Sequence, residues 1–144
     1  MQGIFFEDLT IGQSAETTKI VGAADVEAFA AVSGDTNPVH LDEASALTTP
    51  FQGRIAHGML SGAYISAMLG TRLPGPGAIY LTQSLRFRRP VKIGDPVVTR
   101  VTVQALDERR AHATLTTVCQ VDGKTVVDGE AVVMVPRRNT TKAG

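Results

Sequence analysis

The chain has 144 residues, with 14 Lys+Arg against 14 Asp+Glu, 43% hydrophobic residues, no Trp and one Cys. That length suits one domain with a packed core, and the zero formal charge removes the electrostatic reason to expect nucleic acid or an anionic membrane as partner. A lone Cys119 excludes an intrachain disulfide and a Cys-based zinc site.

Taken in chain order, the first ten residues (MQGIFFEDLT) are acidic where a signal peptide needs a basic region. No apolar run reaches about 18 residues, so a soluble, cytoplasmic protein is expected. Residues 14–21 (SAETTKIV) read as a weak strand. Residues 24–33 read as a short helix with Val26, Phe29, Ala30 and Ser33 on one face, ending at Gly34. Residues 34–57 hold Pro38, Pro50 and Gly53 and predict a loop. Residues 58–70 (GMLSGAYISAMLG) are apolar nearly all round, with the small residues Ser61, Gly62, Ala63 and Ala67, and predict a buried helix.

The second half is different in kind. Eleven of the sixteen valines lie after residue 96, and segments 78–89, 96–106, 111–121 and 125–135 read as four consecutive antiparallel strands. Turn signals separate them, among them Asp122-Gly123, a good hairpin turn. The polar residues 137–144 should fray, leaving 1–136 as a single domain. Asn139-Thr140-Thr141 matches a glycosylation pattern, which means little without a secretion signal. The sum is an α+β chain in which about five antiparallel strands wrap a central buried helix. Such a sheet leaves an open edge that a symmetric homodimer would cover.

Three histidines bear on chemistry. His112 sits in an alternating stretch and reads as a solvent-facing strand residue. His57 precedes the buried helix, where it can cap or pack. His40 ends the run Gly34-Asp35-Thr36-Asn37-Pro38-Val39-His40. On one helix Asp35 and His40 would be roughly 140° apart and could not converge. Pro38 argues against that helix, and a loop can bring the two together as a general acid/base pair. On spacing alone the alternative stands beside it: Asx-turns at Asp35 and Asn37, with His40 on the surface.

Other chemistries are set aside. Gly58-Met59-Leu60-Ser61-Gly62 is not a nucleophile elbow, and Gly75-Pro76-Gly77 lacks the third glycine of a dinucleotide loop. Neither H-E-x-x-H nor clustered His/Asp ligands are visible, so no metal and no cofactor are expected. The first N–H groups of the 58–70 helix can stabilise a developing oxyanion, with Gly58 unshielded. Arg86 and Arg88, alternating on Arg86-Phe87-Arg88-Arg89, share a face that could meet phosphates or merely solubilise a strand.

The run from Phe29 to Asp42, with G-D-x-N-P-[aliphatic]-H intact at Gly34 to His40, resembles the hydratase motif of MaoC-like (R)-specific enoyl-CoA hydratases. His57-Gly58-Met59, Ile79 to Phe87, Pro90-Val91 and Gly94-Asp95 are similar to the same family. The resemblance spans roughly residues 15–135 and is strongest to the short members that supply (R)-3-hydroxyacyl-CoA for polyhydroxyalkanoate synthesis. It implies a single hot-dog fold and a homodimer with an acyl tunnel at or near the subunit interface. It further implies an acyl-CoA thioester substrate. By position it makes Asp35 and His40 the catalytic pair, Ser66 a holder of the water and the Gly58 N–H the oxyanion donor. Asn37, His57 and Met59 fall beside the substrate, with Arg86 and Arg88 toward its phosphates.

Three other readings use the same residues. An acyl-CoA thioesterase would release thiol without forming a hydroxyacyl product. A dehydratase acting on acyl-carrier protein would use the same pair on another carrier. A non-catalytic acyl-CoA-binding subunit of a heteromeric dehydratase would keep the fold without turnover.

Overall fold

The computed structural model describes residues 2–138. A 3-10 turn at Phe6–Asp8 precedes β1 (Ser14–Ile20), α1 (Ala23–Ser33), two single-turn helices α2 (Pro38–Leu41) and α3 (Glu43–Ala46), and α4 (Gly58–Thr71). The second half is β2 (Ile79–Gln83), β3 (Arg86–Phe87), β4 (Pro96–Asp107), β5 (His112–Val121) and β6 (Lys124–Met134). All pairings are antiparallel, in the order β1-β4-β5-β6-β2, with β3 also on β6.

The valine-rich strands alternate, and their inward residues make one side of the core. Val97, Val101 and Val103 on β4, Ala113, Leu115 and Cys119 on β5, and Ala131 and Val133 on β6 are all buried. Facing them from α4 are Leu60, Ile65, Met68 and Leu69, so the sheet curls around one helix. Removing this apolar area from water is the main drive for the arrangement. It is the single hot-dog form that the resemblance implies. Asp122 and Gly123 both take positive φ, 50° and 78°, the type I′ geometry that suits a two-residue hairpin.

Several expectations are corrected. The predicted strand 78–89 breaks at Ser84-Leu85 into β2 and β3, which raises the strand count to six. At the break the Ser84 carbonyl oxygen lies 1.8 Å from where a Cβ on Gly129 would be, so β6 admits the kinked chain only because residue 129 is glycine. The 34–57 segment is not all loop: Pro38 opens α2, because the first helical position has no N–H to lose. The α4 helix is not buried all round, since Met59, Ala63, Ser66, Ala67 and Gly70 are exposed along one face. On α1, Val26 and Ala30 are buried whereas Ser33 is exposed.

Arg137 lies over the Phe6 ring and Arg138 over Phe5, and Arg138 also bonds Glu7 and Asp8. These two residues of the expected tail are therefore tied to the N-terminal segment. The rest of it, with Asn139-Thr140-Thr141, lies outside the described residues. No helix among the described residues is long and apolar enough to cross a membrane.

Candidate active site

The α1 helix stops where Gly34 takes φ 81° and its N–H closes on the Ala30 carbonyl, and this turns the chain outward at Asp35. Short side-chain bonds shape the next residues: Ser33 Oγ accepts from the Asp35 N–H at 3.1 Å, and Asp35 Oδ1 accepts from the Asn37 N–H at 3.3 Å. Asn37 Oδ1 then accepts from the Val39 N–H at 3.2 Å and caps α2. Asp35 therefore stands before the helix and His40 on it, so the helical spacing that would separate them does not apply.

Three hydrogen bonds pin α2 to residues 54–55. The Arg54 Nε–H donates to the His40 carbonyl at 2.7 Å, and the Ile55 N–H donates to the Val39 carbonyl at 3.2 Å. His40 Nδ1 lies 2.8 Å from the Ile55 carbonyl oxygen. A carbonyl only accepts, so Nδ1 carries the hydrogen, and in the neutral ring Nε2 holds the lone pair. That Nε2 faces Asp35 Oδ2 across 4.0 Å. The gap is too long for a direct hydrogen bond, but one water about 2.8 Å from both atoms spans it.

Asp35, His40, His57, Gly58 and Met59 share the wall of one cavity of about 810 Å³. Gly58 opens α4, whose first N–H groups have no acceptor within the helix. The Phe87 ring lies so near Gly58 that an added Cβ would come within 2.7 Å of it. His57, the N-cap of α4, is buried against His40 with ring centroids 3.8 Å apart.

The remaining candidates divide. Arg88 and Arg89 line the cavity, whereas Arg86 does not. Arg88 already pairs with Asp128 at 2.8 Å, and Arg89 has no ion-pair partner among the described residues. Of the two arginines expected to share a face, only Arg88 reaches the cavity, because β3 ends at Phe87. Asn37 spends its side-chain oxygen on the α2 cap and does not line the cavity. Ser66 is not brought to the pair either: it lies eight residues beyond Gly58, about 12 Å along the helix, on the exposed face. It lines a neighbouring groove of about 490 Å³ with Ala63, Tyr80 and Leu81. Phe29 and Met59 border both spaces, so the groove continues the cavity.

Two features had no visible signal. Arg54, which holds the His40 main chain, is one arginine in a polar loop. The other is the arrival of His57 at the Asp35/His40 pair: the three each offer a ligand atom within 4.8 Å of the others, which corrects the expectation that such ligands are not clustered. The two imidazoles lie face to face, at 25° between planes. Stacked rings keep their in-plane lone pairs in separate layers, which suits an acid/base site better than a shared ion.

Comparison with known proteins adds the following. A family model described as "MaoC like domain" matches residues 7–129. The chain is 55% identical to the (R)-specific enoyl-CoA hydratase of Rhodospirillum rubrum, over 93% of each chain. It is 51% identical to the (R)-specific enoyl-CoA hydratase of Aeromonas caviae, over 90% of this chain and 98% of that one. The unliganded R-hydratase structure from Pseudomonas aeruginosa superposes with a TM-score of 0.91 at 51% identity, covering 94% of this chain and 88% of the other.

Proposed function

This chain belongs to the MaoC-like domain family, and from that premise we propose that Asp35 and His40 hold the water that it adds to its substrate. The activity is (R)-specific hydration of trans-2-enoyl-CoA to (R)-3-hydroxyacyl-CoA, a reversible hydro-lyase reaction. The observation that carries the residue assignment is the 4.0 Å gap between His40 Nε2 and Asp35 Oδ2, which opens on the cavity.

In that gap both neighbours accept: the carboxylate takes one hydrogen bond from the water and the neutral Nε2 takes the other. The water oxygen is left with a lone pair for Cβ of the enoyl thioester. As the C–O bond forms, one water proton passes to the Asp35/His40 pair and the alkene electrons move toward Cα and the thioester oxygen. The same pair returns that proton to Cα, so one water is consumed and nothing else is needed. Charge on the thioester oxygen meets the Gly58 N–H at the start of α4, a donor of a type worth about 3 kcal/mol. The hand of the product depends on which alkene face meets the water.

Arg89 and Arg88 on the cavity wall suit the phosphates of the carrier, and the groove past Met59 suits the acyl chain. A homodimer would roof that groove. Asp35→Asn and His40→Gln should each keep a folded protein and lose about a hundredfold or more of crotonyl-CoA hydration. Chelator treatment should leave the wild-type rate unchanged. Near-wild-type turnover in either variant overturns the residue assignment.

A further inference from the structure

His57 makes and breaks no bond in the reaction above, yet it is the most buried of the three polar groups at the site. It is 3% exposed, against 8% for His40, and Phe29 lies against it at 4.9 Å between ring centroids. Its Nε2 sits 2.9 Å from the backbone oxygen of Asp35. Because that oxygen only accepts, Nε2 carries the hydrogen and donates, which leaves Nδ1 bare, buried and without a hydrogen-bond partner. A single imidazole thus reaches both catalytic residues: the main chain of one through its N–H, the ring of the other through its face.

Asp35 needs such a hold. Its side chain is half exposed, and its other hydrogen bonds, to Ser33 and Asn37, reach only two residues along the chain. Among the described residues the His57 N–H is the one hydrogen bond that ties Asp35 to a residue distant along the chain. The α4 helix that presents the oxyanion donor therefore also sets the position of the carboxylate.

We propose that His57 is a positioning residue for the hydration, holding Asp35 and His40 one water apart, and not a substrate contact. The inference rests on the reading that Asp35 and His40 activate the water. Loss of the N–H lets the carboxylate drift by a fraction of an ångström or more. That harms the transition state, where alignment counts, far more than it harms substrate binding.

The donor can be separated from the ring by substitution in the full-length protein. Gln at 57 places its amide nitrogen where Nε2 lies and keeps the bond to Asp35. Asn carries the same group but is too short to reach, and Phe keeps the ring without a donor. Expected for His57→Phe and His57→Asn is a kcat for crotonyl-CoA lowered about 10- to 100-fold, with KM within about threefold. His57→Gln should be at least about tenfold faster than His57→Asn.

If His57→Phe does not fold, the Asn and Gln pair carries the same comparison. A raised KM with kcat retained would make His57 a substrate contact and overturn the proposal, as would equal rates in the Asn and Gln variants. Asp35→Asn, assayed beside them, separates the two failures. An active Asp35→Asn defeats the catalytic reading itself; an inactive one beside equal Asn and Gln variants defeats the positioning role alone.

Discussion

Arg54 touches no reacting atom, but its Nε–H holds the carbonyl of His40 at 2.7 Å, and its guanidinium lies 3.8 Å from Glu27 on α1. The side chain is 15% exposed, so the bond is shielded from solvent. Arg54→Met keeps the stem and removes the donor. It should cost about 1.5–3 kcal/mol, the usual worth of a hydrogen bond from a charged group, and slow hydration because α2 loses one of its three ties. Denaturant unfolding and kcat measured together test this. Wild-type stability with wild-type kcat would deny Arg54 the role. At this scale the sequence is readable where a motif gathers residues, as in the approach of Asp35 and His40 to 4.0 Å. It is unreadable at Arg54, whose partner is a main-chain carbonyl fourteen residues away that no side-chain pattern encodes. The arginines part for a related reason: Arg86 and Arg88 share a face only if the strand continues, and β3 ends between them at Phe87.

The interruption of the β2–β3 segment is written on the opposite strand. Ser84 donates its N–H to the Glu130 carbonyl at 2.9 Å, and Ser84 Oγ accepts from the Glu130 N–H at 3.0 Å. Between them Gly129 leaves room for the Ser84 carbonyl. The obstacle is backbone, so Gly129→Ala cannot be relieved by a rotamer change. Overpacking of this kind costs about 1–3 kcal/mol or more. Gly129→Ala should therefore lower the unfolding midpoint, and because β3 carries the Phe87 that lies on Gly58, hydration should fall with it. An alanine variant as stable as wild type would show that the kink is not held in this way. Strands β4 to β6 were legible because one face is buried and alternation follows. The break was not, because residues 78–89 carry no glycine or proline at it, and the permitting glycine lies some 45 residues on. Pro38 does exclude a single helix from Asp35 to His40, and at the first residue of α2 it starts a shorter one.

For the molecule as a whole, the unfinished surface runs along β2 and α4. Every β4 residue from Val97 to Val103 alternates between core and outside, but β2 is exposed on both faces up to Gln83. Ile79, Tyr80 and Leu81 are 53%, 39% and 43% exposed. An edge strand of that kind, with no lysine or proline to blunt it, is an invitation to pair. Beside it the exposed α4 face, Met59, Ala63, Ser66 and Ala67, borders the groove that continues the cavity lined by Asp35 and His40. A second copy laid antiparallel on β2 would satisfy the free edge by two-fold symmetry and would turn the open groove into a tunnel for the acyl chain. The chain should therefore behave in light scattering as a particle of twice its 15.2 kDa. Leu81→Lys, which sets like charges against each other across the two-fold axis, should halve that mass while the circular dichroism keeps its sheet signal. Because the short crotonyl group needs only the catalytic cavity, its hydration should survive better than that of an eight-carbon enoyl-CoA, whose chain must run along the groove. A Leu81→Lys protein that stays dimeric would move the interface elsewhere, and equal losses for both substrates would separate the groove from the acyl chain.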